Sequence, residues 1–306
     1  MTVGPAEIRK AHNRIVERVR STPVIDVSLS GLPPFTLKLE MMQHTGSFKP
    51  RGAFNKVLSS SMTEAGLVAA SGGNHGLAVA HVAAELGVKA EIFVPSLISA
   101  AKLENLRRSK ATVVVGGDAY ADALAASVDR AQQTGAVMVH AYDDPAVIAG
   151  QGTVFWEVEH LAPDVDAVVV AVGGGGLSAG AAAWFGERVD LIAVETAGTQ
   201  TLHAALLAGR PVPVEISGIA ADSLGARQVG SYPFDLLAPL AISVVVTDDD
   251  VVGAQRVLWD QLRVAAEPGG AAAFAAVLNG TVDLAAYRRP VVVVCGGNVD
   301  PASLTS

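Results

Sequence analysis

Cysteine is nearly absent: the 306 residues hold one, Cys295. A single thiol excludes an internal disulfide and fits a reducing cytoplasm. Basic charge is scarce as well, with 22 Lys and Arg against 30 Asp and Glu, a net charge of −8 and a pI near 5.3. Nucleic-acid surfaces need clustered Lys and Arg against phosphates, so that class of partner is excluded. The one basic run, Arg107, Arg108 and Lys110, reads as a solvated helix face. The N-terminal segment lacks the apolar centre of a signal peptide. Glu7, Arg9, Lys10, Arg14, Glu17, Arg18 and Arg20 alternate there with Ile8, Ile15, Val16 and Val19, which predicts an amphipathic helix over 2–21. Nor does the chain hold an uninterrupted membrane span. Its longest uncharged run, 167–186, has four consecutive glycines near its middle and reads as strand, loop and helix.

What is plentiful is apolar side chain, 50% of the sequence and enough for a large buried core. A short strand at 35–39 precedes a helix over 50–59. Apolar strands at 67–70, 91–94, 111–115 and 136–139 then alternate with helices around 77–86, 100–108 and 119–132. A helix over 145–161 leads into a second series, with strands at 167–172, 191–194, 242–246 and 291–294 and helices near 177–185, 199–207, 249–264 and 270–278. Short β-rich runs alternating with helices require parallel pairing through crossovers. The fold class is therefore α/β, in two lobes, each a mostly parallel sheet flanked by helices, with a cleft between them. The strand at 35–39 is free to join the second series, which would make that lobe discontinuous in sequence.

In parallel sheets, ligands gather at the carboxyl ends of strands, and three glycine-rich loops stand at such ends. In Gly173-Gly174-Gly175-Gly176-Leu177-Ser178, bare backbone lets several N–H groups converge on one anion, reinforced by the following helix start; a phosphate is the natural guest. The same loop admits a dinucleotide reading, because Gly174, Gly176 and Ala179 fit G-x-G-x-x-A and Glu195 ends the next strand. In Ser71-Gly72-Gly73-Asn74-His75-Gly76, the serine and the glycine amides can donate to a carboxylate. Asn74 can donate to a phenolic oxygen and keep an acceptor free, while His75 either touches ligand or packs and caps the helix. In Cys295-Gly296-Gly297-Asn298, the thiol has no nearby base and reads as a weak donor able to face a neutral ring nitrogen, not as a nucleophile. A fourth stretch, Ser47-Phe48-Lys49-Pro50-Arg51-Gly52, sets one lysine at a helix start. An amine that is desolvated, or near positive charge such as Arg51, sheds its proton more easily and can form an imine.

Together these loops meet the needs of pyridoxal phosphate, and the chain resembles the fold-type II pyridoxal-phosphate enzymes of the serine/threonine dehydratase family, close also to serine racemase. The motifs that carry the resemblance are SFKPRGA at 47–53, SGGNHG at 71–76, AGQGT at 149–153, GGGGLSAG at 173–180, EPGGA at 267–271 and CGGN at 295–298. The resemblance implies that Lys49 holds the cofactor covalently and shuttles the substrate's α-proton. It implies Phe48 against the pyridine ring, Asn74 on the 3′ oxygen, and Cys295 near the ring nitrogen. Gly173, Gly174, Gly175, Gly176 and Leu177 would cradle the phosphate, and Ser71, Gly72, Gly73 and His75 would receive the substrate carboxylate. It further implies a large cofactor-binding domain from 1–61 and 145–306, a small domain from 62–144 closing over the site, and a homodimer.

The activity so implied is loss of water from L-threonine or L-serine to give a 2-oxo acid and ammonia. Serine racemases of this type carry a second serine after the one matching Ser71, as the base on the opposite face; here that position is Gly72, which ranks elimination above racemisation. Relatives that hold a metal pair a glutamate matching Glu195 with an aspartate six residues later, where this chain has Thr201, so no metal is assigned. Ser223 stands where a glycine often approaches the ring. The region after Asn298 is too short for an appended regulatory domain, which favours a catabolic or specialised role. A 3-hydroxyaspartate dehydratase, an NAD-binding oxidoreductase and a non-catalytic cofactor-binding protein are the alternatives.

Overall fold

The structure, a computed structural model, describes residues 3–304. Helix α1 (Pro5–Ile15) buries Ile8, Ala11 and Ile15, a helical spacing that gives it one apolar face. It stops short of residue 21 because Val16 is exposed and the Arg20 amide donates to Gln43 Oε1, drawing the chain away. Strands β1 (Val24–Val27) and β2 (Phe35–Leu39) and helix α2 (Lys49–Leu58) follow. An alternating stretch comprises β3 (Leu67–Ala70), α3 (Asn74–Leu86), β4 (Ala90–Val94), α4 (Ala100–Arg107), β5 (Thr112–Val115), α5 (Tyr120–Thr134) and β6 (Val137–Met138). After α6 (Pro145–Leu161) come β7 (Ala167–Ala171), α7 (Gly176–Phe185), β8 (Asp190–Thr196), α8 (Thr201–Ala208), α9 (Ala221–Leu224) and α10 (Ser231–Leu237). Strand β9 (Ala241–Val246), helices α11 (Asp248–Leu262) and α12 (Pro268–Leu278), and β10 (Pro290–Val294) complete the set.

The strands form two sheets. One runs β5-β4-β3-β6 and is wholly parallel; the other runs β1-β2-β10-β7-β8-β9 and is parallel except for the β1–β2 pair. Strands such as Ala167–Ala171 and Pro290–Val294 are buried along their whole length, as a sheet covered on both faces requires. Every strand expected from the sequence is present, and β2 does join the second series, pairing in parallel with β10. Strand β1 is the addition.

This topology sets out the site. Because β10 lies between β2 and β7, the loops at the carboxyl ends of these three strands sit side by side: the lysine loop, the Cys295 loop and the glycine tetrad. The Ser71 loop ends β3 of the other sheet. Among the described residues, no helix is long and apolar enough to cross a membrane.

Candidate active site

The loops are braided through their backbones. Phe48 N–H donates to the Cys295 carbonyl, Gly297 N–H to the Gly46 carbonyl, and Glu267 N–H to the Gly296 carbonyl. A cavity of about 420 Å³ opens above them. Its lining includes every residue singled out for the site: Phe48 and Lys49 from the lysine loop; Ser71, Gly72, Gly73, Asn74 and His75 from the β3 loop; Gly173, Gly174, Gly175, Gly176 and Leu177; and Cys295. A volume of this size suits a small cofactor with a substrate.

Lys49 heads α2, with Pro50 in the first turn where its missing N–H is no loss. Its Nζ donates to the Ala141 carbonyl at 3.0 Å, lies 5.0 Å from the centroid of the Phe48 ring, and makes no ion pair among the described residues. Burial pulls its pKa down to about 8, against the opposing pull of Cys295 and Glu267. Arg51 takes no part in this. Its guanidinium turns away from the cavity and forks onto Glu40 and Glu157, so the expected help from a neighbouring positive charge gives way to desolvation.

His75 is buried, and its Nε2 lies 2.8 Å from the Val139 carbonyl, to which it donates. Burial, aided by the charge on Lys49, pushes its pKa down to about 3. The imidazole is thus a neutral structural group, and only its position in the first turn of α3 bears on a bound carboxylate. Cys295 Sγ donates to the Gly269 carbonyl at 3.4 Å, and burial pushes its thiol up to about 12. It is unreactive by charge state, as the sequence implied.

Glu195 is more than a charge at a strand end. It is fully buried and accepts from the Thr201 hydroxyl and from the N–H groups of Leu202 and His203, so it caps the start of α8. Thr201 Oγ1 also reaches the Gly173 carbonyl at 2.6 Å, tying this cap to the glycine tetrad. Spent in this way, Glu195 is not free for a ribose hydroxyl, and the dinucleotide reading loses its acidic partner.

Four further residues, to which the sequence assigns no site role, shape the cavity. Glu267, within a quoted motif but given no role, accepts from Asn74 Nδ2. Ser223 Oγ accepts from Gly269 N–H at 2.9 Å and so steadies the residue whose carbonyl receives the Cys295 thiol. Tyr142 lines the cavity and packs on Gly174. Lys102 on α4 pairs with Asp222 on α9 at 2.7 Å across the cavity wall. Of these, Glu267 was signalled as an acid immediately before a helix-starting proline and Ser223 by standing where a glycine often approaches the ring; Tyr142 and Lys102 carried no signal.

The cavity fits pyridoxal phosphate on its own terms. No side chain caps α7, which starts at Gly176, the last glycine of the tetrad, so the N–H groups of its first turn are available to a phosphate. An amine lowered to about 8 stands ready for an aldehyde. Fold and cavity together are those of a two-sheet α/β enzyme whose cleft has room for a phosphorylated aldehyde cofactor beside Lys49.

The profile of the pyridoxal-phosphate dependent enzymes matches residues 15–296, and the chain belongs to that family. It is 38% identical to the L-threonine ammonia-lyase of Thermotoga maritima over 270 residues, which covers 86% of this chain and 67% of that protein. Maize serine racemase superposes with a TM-score of 0.92 at 30% identity, covering 100% of this chain and 96% of its own. The T.th. threonine deaminase superposes with a TM-score of 0.89 at 31% identity, covering 97% of this chain and 99% of its own.

Proposed function

We propose that this chain eliminates water from a β-hydroxy amino acid, L-threonine or L-serine, to release a 2-oxo acid and ammonia. The observation that carries this reading is the asymmetry of the cavity about Lys49 and Gly72. Gly72 has no side chain to act as a second base, and sterics alone do not demand a glycine there, since an added Cβ would meet only the movable tip of Ile98 at 2.8 Å. The relatives named as threonine ammonia-lyase and threonine deaminase support the same choice.

When bound, pyridoxal phosphate supplies the electron sink that makes the α-proton removable. Lys49 takes that proton on Nζ and can return it to the departing β-hydroxyl, which leaves as water; its lowered pKa keeps a useful fraction of free amine near neutral pH. Ser71 and the amides of Gly72, Gly73 and the first turn of α3 hold the substrate carboxylate. Gly173 to Gly176 and Leu177 hold the phosphate, Phe48 packs on the ring, and Cys295, kept neutral, offers the ring nitrogen no anion. Residues 62–144 form the smaller unit that closes on the site, with the Lys102–Asp222 pair as its latch. A cytoplasmic homodimer completes the proposal, the compartment supported by the free thiol of Cys295 and the dimer by the family resemblance alone.

Incubation with a panel of β-hydroxy amino acids should yield 2-oxo acid from L-threonine or L-serine, and Lys49→Ala should lower turnover by several orders of magnitude. Absence of keto acid from every member of the panel overturns the proposal. The likeness to maize serine racemase favours a second reading, racemisation. Chiral analysis of L-serine incubations should find negligible D-serine; racemisation on the scale of elimination would reverse the order of the two.

A further inference from the structure

Asn74, Glu267 and Asn298 form a chain of side-chain hydrogen bonds that the elimination reaction does not by itself require. Asn298 Nδ2 lies 2.8 Å from the Thr45 carbonyl and 2.7 Å from Asn74 Oδ1. A carbonyl only accepts, so the Asn298 group facing Thr45 is its NH2, and the same NH2 faces the Asn74 oxygen. That fixes the Asn74 amide: its oxygen is held by Asn298, and its Nδ2 donates to Glu267 Oε1 at 2.5 Å. One N–H of Asn74 is thereby spent and one remains, on a residue that lines the cavity. The contact is built into the backbone beneath it. A Cβ at Gly296 would overlap Glu267 Oε1, so only glycine lets the carboxylate lie there. Glu267 is buried at the N-cap position of α12 yet caps nothing with its side chain, which turns instead to Asn74.

We propose that Glu267 is a positioning residue: with Asn298 as counter-anchor, it aims the free N–H of Asn74 at the 3′ oxygen of bound pyridoxal phosphate. This rests on the cofactor reading of the site given above. The groups facing Glu267 are Lys49 on α2, Lys102 on α4, Asp222 on α9 and Cys295 after β10. Burial raises its pKa to about 7, opposed by the Asn74 hydrogen bond and by the charges of Lys102 and Lys49. The carboxylate is therefore a strong acceptor above that pH and a weaker one below it, and the cofactor's surroundings change with it.

The test uses the loaded protein and its visible absorption band, recorded from pH 6 to 9, with cofactor affinity measured by titration of the apoprotein with pyridoxal phosphate. In wild type the band should shift with a midpoint near pH 7, the value to which burial raises Glu267. Glu267→Gln keeps an oxygen for Asn74 but cannot ionise: it should hold affinity within about threefold and remove that titration. Glu267→Ala should weaken cofactor binding by about tenfold, the usual worth of one hydrogen bond to a charged group. Asn298→Ala, at an exposed position, should weaken it severalfold and displace the band without altering the circular dichroism of the fold. A Glu267→Gln band that titrates like wild type, or affinity unchanged in both alanine variants, overturns the assignment. Failure of wild type to bind pyridoxal phosphate at all would instead overturn the cofactor reading, and this inference with it.

Discussion

Two lysines near the start of α2, one fully enclosed and one half-buried at the cavity, have contrasting surroundings. Lys38, on β2, is fully enclosed and donates to Glu157 Oε2 at 2.6 Å and to the Thr22 carbonyl at 2.7 Å. Beside it, Arg51 forks onto Glu40 and Glu157 with four contacts of 2.8 Å, so two cations meet two carboxylates and cancel. Burial pushes Glu157 up, yet Arg51 and Lys38 outweigh it and hold its carboxyl below the usual range. Lys49, facing the cavity, has a carbonyl for company and no ion pair among the described residues. Burial lowers the pKa of Lys38 as well, but there Glu40 and Glu157 oppose it with direct ion pairs, whereas Lys49 has no such pair to set against its desolvation. The unpaired condition makes a reagent and the paired one makes a brace, and Arg51, within the lysine motif, belongs to the brace.

Breaking the brace should have the largest effect on stability. Glu157→Gln leaves Lys38 and Arg51 with Glu40 alone, and urea unfolding at pH 7 should show a loss of about 3–5 kcal/mol, the usual result of stripping one partner from a buried ion pair. At the cavity the sign reverses. The Lys49 pKa is about 8 in the folded chain against 10.5 unfolded, so between those values the unfolded chain binds more protons and stability rises with pH. Below pH 8 the folded apoprotein carries the full cost of that buried charge. Lys49→Met should therefore make the apoprotein more stable than wild type near pH 7, by at most about 3 kcal/mol, with the gap closing toward pH 10.5. A variant that is less stable throughout would mean that Lys49 has a compensating partner after all. The smallest effect belongs to the latch. Lys102→Ala removes a largely solvent-screened pair, whose Asp222 side chain is 78% exposed. It should cost less than about 1 kcal/mol in stability and raise KM by up to about fivefold.

The same contrast separates what the sequence disclosed from what it withheld. Strands such as Ala167–Ala171 and Pro290–Val294 are unbroken apolar runs, so their existence and the glycine loops at their ends are visible locally. Strand order is not local: nothing within 290–294 says that it lies between β2 and β7. Strand β1 was invisible because four residues with Asp26 among them, at a sheet edge, carry little pattern. At the site, Lys49 and the glycine tetrad stand out in the sequence by residue type and position before a helix, and both line the cavity. The partner of Glu267 is not legible there, since Asn74 lies 193 residues away. Arg51 was misread for a related reason. Its place in the sequence puts it next to Lys49, but its side chain answers to carboxylates on distant elements.

The placement of β10 also governs when the protein can become active during its synthesis. Strand β2 is made early and pairs with β1, but its other neighbour is β10, some 250 residues later in the chain. Until that strand emerges, the lysine loop that follows β2 has neither the Cys295 carbonyl to hold Phe48 nor the Gly297 amide to hold Gly46. The growing chain can build the four-stranded sheet and most of the glycine tetrad's surroundings while Lys49 stays unanchored. Catalytic competence therefore arrives late, with the insertion of one central strand, and a chain interrupted before it should accumulate as a partly folded species that binds the cofactor poorly.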